Sequence, residues 1–573
     1  MKNLKSLRAV CCALAAWAVL VPAAAGAAGV PDPDEVPAML APPATQATEA
    51  LLSKGRVRVG VTWKNPYTGE GGTATVAPQG DEFAYFTFSS AANPEVFVKA
   101  LGTNSPEYIQ LFAAGLTSFE YTVTFAGCGL TKTFKKPAFA KITYEDGAGF
   151  PSAGCLPVQP LTQRTLGGRE KDYFPRAHGS GAVAQTPDGG FILTGTVGSN
   201  DGDISGQHGM YDIWVAKLSA SLVLEWQRCL GGSKIDVAGG IVPTSDGGYA
   251  LVGTTSSTDG DVGKGHGSAD AWVVKLDAVG KIVWQKCYGG TGYDTGIAIV
   301  EVADGGFVFA GATNSRDGDV SGNHGGIDIW VVKIDKSGVL AWQKCIGGTL
   351  ADYPNSLQKT SDGGFVVAGL TESNDGDVKG NHGNGDMLVA KLSGAGAVEW
   401  LRAVGGSKND EGMSARQTSD GKYIVAGWTN STDGDITNPK GGKDALLVLL
   451  DAAGKVVWAR NYGGSKTDYA FSVVEAGGGS FAFAGETFSS DGDVSLFKGA
   501  SDAWVVKVSA TGAVTSSLCL GGSDRELAGS IIALAKGAGY LVAGWTGSSD
   551  GDVKGHHGGS DIWLVKLDAL QLK

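Results

Sequence analysis

Five oxygen-bearing side chains between Asp317 and Asp328 stand at spacings suited to a hard cation. Asp317, Asp319, Ser321, Asn323 and Asp328 take positions 1, 3, 5, 7 and 12 of a twelve-residue loop, with Gly322 at position 6. Calcium loops of the EF-hand kind use this spacing because the oxygens wrap the ion while glycine permits the sharp turn. Asp201, Asp203, Ser205 and Asp212, with Gly206, repeat the pattern upstream. Elsewhere the fit weakens: Lys379 and Lys554 stand at position 5, Leu496 replaces the glycine, and position 12 is Asp rather than Glu. The flanking segments also read as strands rather than helices. Two expectations therefore stand together, a calcium-stabilised loop and a set of Asx turns made by Asp-Gly-Asp. No motif requires any other cofactor.

Other chemistry-bearing residues recur too evenly to form one centre. His208, His266, His324, His382 and His557 each stand four residues before a strand Asp, with Lys440 and Lys498 in the same place in two further copies. Convergent imidazoles would suggest a transition metal; one per copy suggests loop hydrogen bonding. Lys217, Lys275, Lys333, Lys391, Lys507 and Lys566 recur inside strands, where a buried ammonium needs a carboxylate. The acids after the Gly-Gly pairs (Asp172, Asp236, Asp294, Asp352, Asp410, Asp468 and Glu526) are the expected partners. Trp214, Trp272, Trp330, Trp504 and Trp563 hold one strand position, and Trp226, Trp284, Trp342, Trp400 and Trp458 another. They read as packing between sheets rather than as sugar platforms. Cys229, Cys287, Cys345 and Cys519 hold one equivalent position and read as buried free thiols. Cys128 and Cys155 are the expected disulfide.

The element that positions all of these is a repeat. The first glycines of the pairs at Gly231, Gly289, Gly347, Gly405, Gly463 and Gly521 are 58 residues apart, and Gly167 precedes Gly231 by 64. That makes seven copies, and a period of this kind means a solenoid or a propeller. One copy holds four short β-branched and aromatic runs: residues 296–300, 307–311, 329–334 and 339–342, separated by Asp-Gly-Gly, a long polar loop and Asp-Lys-Ser-Gly. Four antiparallel strands make one propeller blade. The seventh copy stops after its third strand, and Leu161 to Gly168 aligns with the missing fourth, Val283 to Gly290. Pairing the first and last strands seals the ring and leaves no open edge. The expected fold is all-β, a seven-bladed β-propeller over residues 157–573.

Asp-Gly-Gly before a strand, Gly-x-Thr after it, Asp-x-Trp-Val-Val-Lys-Leu and the closing Gly-Gly-x-x-x-Asp resemble the seven-bladed-propeller repeats of secreted bacterial proteins called SBBP-type. The resemblance implies a fold and an exported setting, and no reaction.

Upstream, Lys2, Lys5 and Arg8 precede the apolar run Ala9 to Pro22 and the small residues 23–28, the layout of a signal peptide over 1–28. Its removal takes the formal charge from −12 to −15, because three positive charges leave with it. That balance argues against a nucleic-acid partner. No later run is apolar enough for a transmembrane helix, so a secreted, periplasmic or cell-surface monomer is expected. Residues 29–50 read as a linker and 138–156 as a second one. Between them, 51–137 resembles a small β-sandwich module often attached to secreted bacterial proteins, through Val61-Thr62-Trp63, the aromatic run 83–88, Glu95 to Lys99 and Gly115-Leu116-Thr117. That resemblance implies no activity.

There is no G-x-S-x-G, H-E-x-x-H, P-loop or C-x-x-C. Three readings stay open. The first is a non-catalytic binding or scaffold protein presenting an acidic propeller face to a protein or glycan. The second is a polysaccharide hydrolase or lyase with a carboxylate pair near the central channel, and the third a structural surface or adhesive component. An enzyme should break the repeat near the ring axis. The departures that stand out are the insert around Arg176 and His178, Asn438-Pro439-Lys440 and Leu496-Phe497-Lys498, all in loops, which favours binding.

Overall fold

The computed structural model describes residues 162–175 and 181–568, apart from the side chain at 536, together with the backbone of strands between 49 and 151. The signal peptide, most of the first linker, Cys128, Cys155 and the insert around Arg176 lie outside the described residues. The chain divides into two compact units that meet between Gln159 and Pro160.

In the first unit, Val57–Lys64 pairs with Glu49–Leu52, Gly71–Thr73 and Glu120–Gly127, and the last of these pairs with Leu130–Lys136. A second antiparallel sheet runs Ile142–Pro151, Tyr108–Gly115, Val96–Leu101, Phe83–Thr87 and Thr75–Pro78 in spatial order. The strand Ile142–Pro151 falls in the stretch read as the second linker; its Gly147-Ala148-Gly149 sits where the register with Tyr108–Gly115 shifts, so the glycines mark an irregularity in a strand.

The second unit is a ring of seven antiparallel sheets. Blade 2 is typical, with Asp236–Pro243, Tyr249–Thr255, Asp270–Leu276 and Ile282–Tyr288 as its first to fourth strands. Blades 3 to 6 begin at Ala298, Asp352, Asp410 and Asp468 and end at Ile346, Val404, Tyr462 and Leu520. In blade 1 the first strand is split into Asp172–Tyr173 and Val183–Gln185, which both pair with Phe191–Val197. Blade 7 takes Glu526–Ala533, Tyr540–Thr546 and Asp561–Leu567 from the C-terminal end and Thr162–Leu166 from the start of the unit. The ring is closed as the sequence alignment of these two segments requires.

First strands of neighbouring blades lie against one another around the axis, and fourth strands face outward. Second and third strands carry nearly continuous apolar runs rather than an alternating pattern because neighbouring blades cover both of their faces. Strand Asp270–Leu276 is buried at every residue. Trp214, Trp272, Trp330 and Trp504 are fully enclosed between blades. The outer tryptophans reach the next blade: Trp226 meets Tyr249 at 5.7 Å between ring centroids and Trp400 meets Tyr423 at 5.2 Å. Truncating one enclosed Trp to Ala would cost about 3–5 kcal/mol. Outer strands expose their edges but carry Arg228, Lys286, Lys344, Arg402 and Arg460 at one position, charges that discourage edge-to-edge pairing. Among the described residues no helix is long and apolar enough to cross a membrane.

Candidate functional site

The residues proposed as calcium ligands are placed on protein partners instead of on a common centre. Asp317 accepts hydrogen bonds from the Thr291 amide at 2.7 Å and the Thr291 hydroxyl at 2.9 Å, while Asp319 accepts one from the Gly289 amide at 3.3 Å. Ser321 Oγ accepts from Gln343, and Asn323 donates to the Thr313 carbonyl and accepts from the Gly325 amide. Asp328 accepts from the His324 amide and ring nitrogen. In the first copy Asp201 takes the Arg169 amide, Asp203 the Arg164 guanidinium, Ser205 the Gln227 amide and Asp212 the His208 ring. Among the described residues no group of three or more His, Cys, Asp or Glu side chains is arranged to hold a metal ion.

The repeated acids carry the blade junctions. Asp236 accepts from the Gly232 amide, from Ser257 and from Thr255, which ties the Gly-Gly link to the end of the second strand. A side chain at Gly231 would come within 2.6 Å of Asp236 and 3.0 Å of Asp212, so glycine is required where these two carboxylates face each other. Burial pushes Asp212, Asp328, Asp386 and Asp561 above the usual carboxylate range, and each leaves its Oδ1 without a hydrogen-bond partner among the described residues. The histidines do make the expected loop hydrogen bonds.

The strand lysines correct an expectation. Lys217 pairs with Asp188 and Glu225, Lys275 with Asp246, Lys333 with Asp304, and Lys391 with Asp362 and Glu399. Their partners are acids of the hairpin between first and second strands and, for Lys217 and Lys391, of the fourth strand, not the acids after the Gly-Gly pairs. Lys217 stands five residues beyond Asp212, about 17 Å along the strand at about 3.4 Å per residue, so it emerges at the opposite edge of the blade. There the Lys217 ammonium holds Asp188 down at about 2. The blade cysteines form no disulfide among the described residues, and burial pushes the thiols of Cys229, Cys287 and Cys345 up to about 12.

What sequence reasoning missed is a break in the repeat beside the axis. Three positions share one level of each blade: the residue after the first-strand acid, its partner on the second strand, and the residue before the third-strand Asp. In blades 2 to 4 these are Val237, Thr254 and Ala269; Thr295, Ala312 and Ile327; and Tyr353, Leu370 and Gly385. Blade 5 has Glu411, Trp428 and Lys443, and blade 6 has Tyr469, Glu486 and Ser501. All of these blade 5 and blade 6 residues except Ser501, with Arg525 of the link into blade 7, line a cavity of about 650 Å³. The expectation that departures are confined to loops is therefore corrected. The signal was legible by comparing channel-facing positions copy by copy, since no single residue type marks them.

The cavity combines aromatic walls with both signs of charge. Trp428 and Tyr469 meet edge to face at 6.1 Å, and Tyr469 stacks on Phe471 at 5.5 Å. The Lys443 ammonium lies 3.6 Å from the centroid of Trp428 and 5.6 Å from that of Tyr469. Burial pushes its pKa down, and no carboxylate lies within ion-pair distance of it among the described residues. Glu411 is held on both oxygens, by Asn355 at 2.8 Å and by the Trp428 ring N–H at 3.0 Å. Glu486 is 1% exposed; its Oε1 accepts from Arg525 at 2.6 Å and from Ser501 at 2.8 Å. Its Oε2 is buried without a partner among the described residues. The site thus offers a cation without an ion-pair partner among the described residues, two carboxylates and aromatic side chains around one open cavity, the makings of a ligand pocket.

Comparison with known proteins adds little at the level of identity. No family model matches the chain. The regulatory protein FlaEY of Caulobacter vibrioides is 26% identical over 188 residues, 30% of this chain and 20% of that protein. The chain thus matches about a fifth of that relative's length. Among solved structures, the Neurospora crassa Pan2 WD40 domain aligns with 72% of this chain and 98% of its own at 11% identity and a TM-score of 0.40. Sqt1 from Chaetomium thermophilum aligns with 81% of this chain and 93% of its own at 10% identity and a TM-score of 0.36.

Proposed function

We propose that this protein is an exported, non-catalytic binding protein that receives its ligand in the cavity beside the channel between blades 5 and 7. The observation that carries the reading is the break in the repeat. An ion pair found in four blades and a Trp found in five are architecture, whereas Trp428, Lys443, Glu486 and Arg525 have no counterparts at these levels in blades 2 to 4. The leader at 1–28 supports export.

Catalysis is disfavoured by how the carboxylates are engaged. Glu411 has both oxygens held, and Glu486 is tied to an arginine. Neither is paired with a nucleophile, and an acid tied to a guanidinium is a poor general acid. The acidic remainder of the face serves the blade junctions.

The test is capture by the purified chain lacking residues 1–28 on arrays of glycans and envelope extracts, with turnover assayed alongside. Lys443→Ala should lose capture while melting near the parent temperature, and Trp428→Phe, which keeps most of the buried ring, should weaken it. Capture unaffected by both variants, or turnover abolished by a single change at Glu411 or Glu486, would overturn the reading.

A further inference from the structure

Resting on that reading, we infer that the cavity takes a sugar acid, a ring-sized hydroxylated molecule bearing one carboxylate. Three observations converge on this class. The Lys443 ammonium is in the cavity, partly desolvated against Trp428, with Glu411 acting on it as an attractive charge but no carboxylate within ion-pair distance among the described residues. A cation removed from water without a carboxylate hydrogen-bonded to it is costly, and a ligand carboxylate would supply that contact through a short charge-assisted hydrogen bond. Arg525 and Lys466 line the same cavity with Glu411 and Glu486, so that with Lys443 three cations face two carboxylates in a chain whose net charge is −12.

The second observation is that two carboxylates, Glu411 and the 1% exposed Glu486, line the same cavity. A ligand that were only an anion would be repelled by them, so the ligand must bring hydrogen-bond donors beside its anionic group. A hydroxyl meets this need without adding charge.

The third is shape. Trp428, Tyr469 and Phe488 give apolar faces of the kind on which the C–H face of a pyranose packs. A volume of about 650 Å³ lies within the range of small-molecule sites, about 300–1,000 Å³, and is far below what a folded partner needs. An amino acid zwitterion would also offer an anion and a donor, but its small body leaves the aromatic faces uncovered.

The experiment is calorimetric titration of the leaderless chain with D-galacturonate and D-glucuronate, their neutral parents galactose and glucose, and glycine. Indole fluorescence is followed in the parent protein and in Trp428→Phe. The acids should bind at least about tenfold more tightly than the neutral sugars, the factor that about 1.4 kcal/mol of carboxylate contact supplies. Lys443→Met should abolish that preference, and Glu486→Gln should weaken acid and neutral sugar alike. If neutral sugars or glycine bind as tightly as the acids and the signal still needs Trp428, the pocket reading stands and the sugar-acid inference falls. Saturable binding that both Trp428→Phe and Lys443→Met leave untouched would remove both. Failure of every probe while the arrays still yield Trp428-dependent capture would overturn the sugar-acid inference alone.

Discussion

The ring nitrogen of Trp563 donates to the side-chain oxygen of Gln163 at 2.8 Å across 400 residues of chain. Gln227, Gln285 and Gln343 receive the equivalent Trp within blades 1, 2 and 3 at 2.8 to 2.9 Å. Gln163 thus plays, from the other end of the unit, the part that a fourth strand plays elsewhere. Thr165 adds hydrogen bonds to the carbonyls of Lys554 and Gly555.

Removing residues 157–168 should therefore expose the edge of Asp561–Leu567 and lower the melting temperature or cause aggregation. Gln163→Ala, which leaves the strand in place, should cost only about 1 kcal/mol. Equal melting of the truncated and intact rings would refute the closure.

How much of this was legible depends on whether a feature repeats. Blade number, strand order and the closing segment followed from the 58-residue period, because a structural demand imposed seven times leaves seven marks. Partner choice was less visible: Lys217 and Asp172 both recur once per copy, and spacing alone does not say that they lie at opposite edges of a blade. The cavity was least visible, since Trp428 and Glu486 each occur at a position that tolerates Thr254, Ala312 or Leu370 in other blades. Its residues come together only when three blades are placed around an axis.

At Glu486 the arginine is the removable half of the pair. Arg525→Ala should leave a buried carboxylate with only Ser501 on it and destabilise the ring by about 1–3 kcal/mol. Adding Glu486→Gln should recover most of the loss, because the stranded charge is gone. A double variant no more stable than Arg525→Ala, measured by urea unfolding, would show that the ion pair is not what Arg525 contributes.

Asp502, like Asp444, lacks the histidine that five other blades place four residues earlier: Lys498 takes that place and its ammonium reaches toward Asp552 and the Cys519 carbonyl. Burial, opposed by the Lys498 charge and the Gly499 amide, raises its pKa to about 7. The folded state thus keeps a proton that the unfolded chain loses at about 4. Stability should fall as pH rises from about 4 to 7 and stop falling through this group above that. Asp502→Asn should flatten the melting-temperature profile over that window; an unchanged profile would remove the assignment.

Thiols pushed up to about 12 are almost wholly protonated at neutral pH. Since the thiolate is the reactive form, alkylation of Cys229, Cys287 and Cys345 mapped by mass spectrometry should be slow in the native protein and fast in urea. Rapid native labelling at these three positions would contradict their burial.

The Asp-Gly-Asp loops allow a direct choice between turn and cation. Both oxygens of Asp317 are committed to Thr291, so the loop is fastened to the Gly-Gly link of its own blade without an ion. Asp317→Ala removes both bonds and should lower the melting temperature. On the turn reading, that decrease is the same in millimolar calcium and in chelator, and the parent protein melts alike in both. A cation in the loop predicts otherwise: calcium would raise the parent's melting temperature, and Asp319→Asn, which can still accept from the Gly289 amide, would abolish the rise. We expect the first pattern, because Asp317, Asp319, Ser321 and Asn323 already accept hydrogen bonds from the protein; a calcium-dependent rise removed by Asp319→Asn would establish the second.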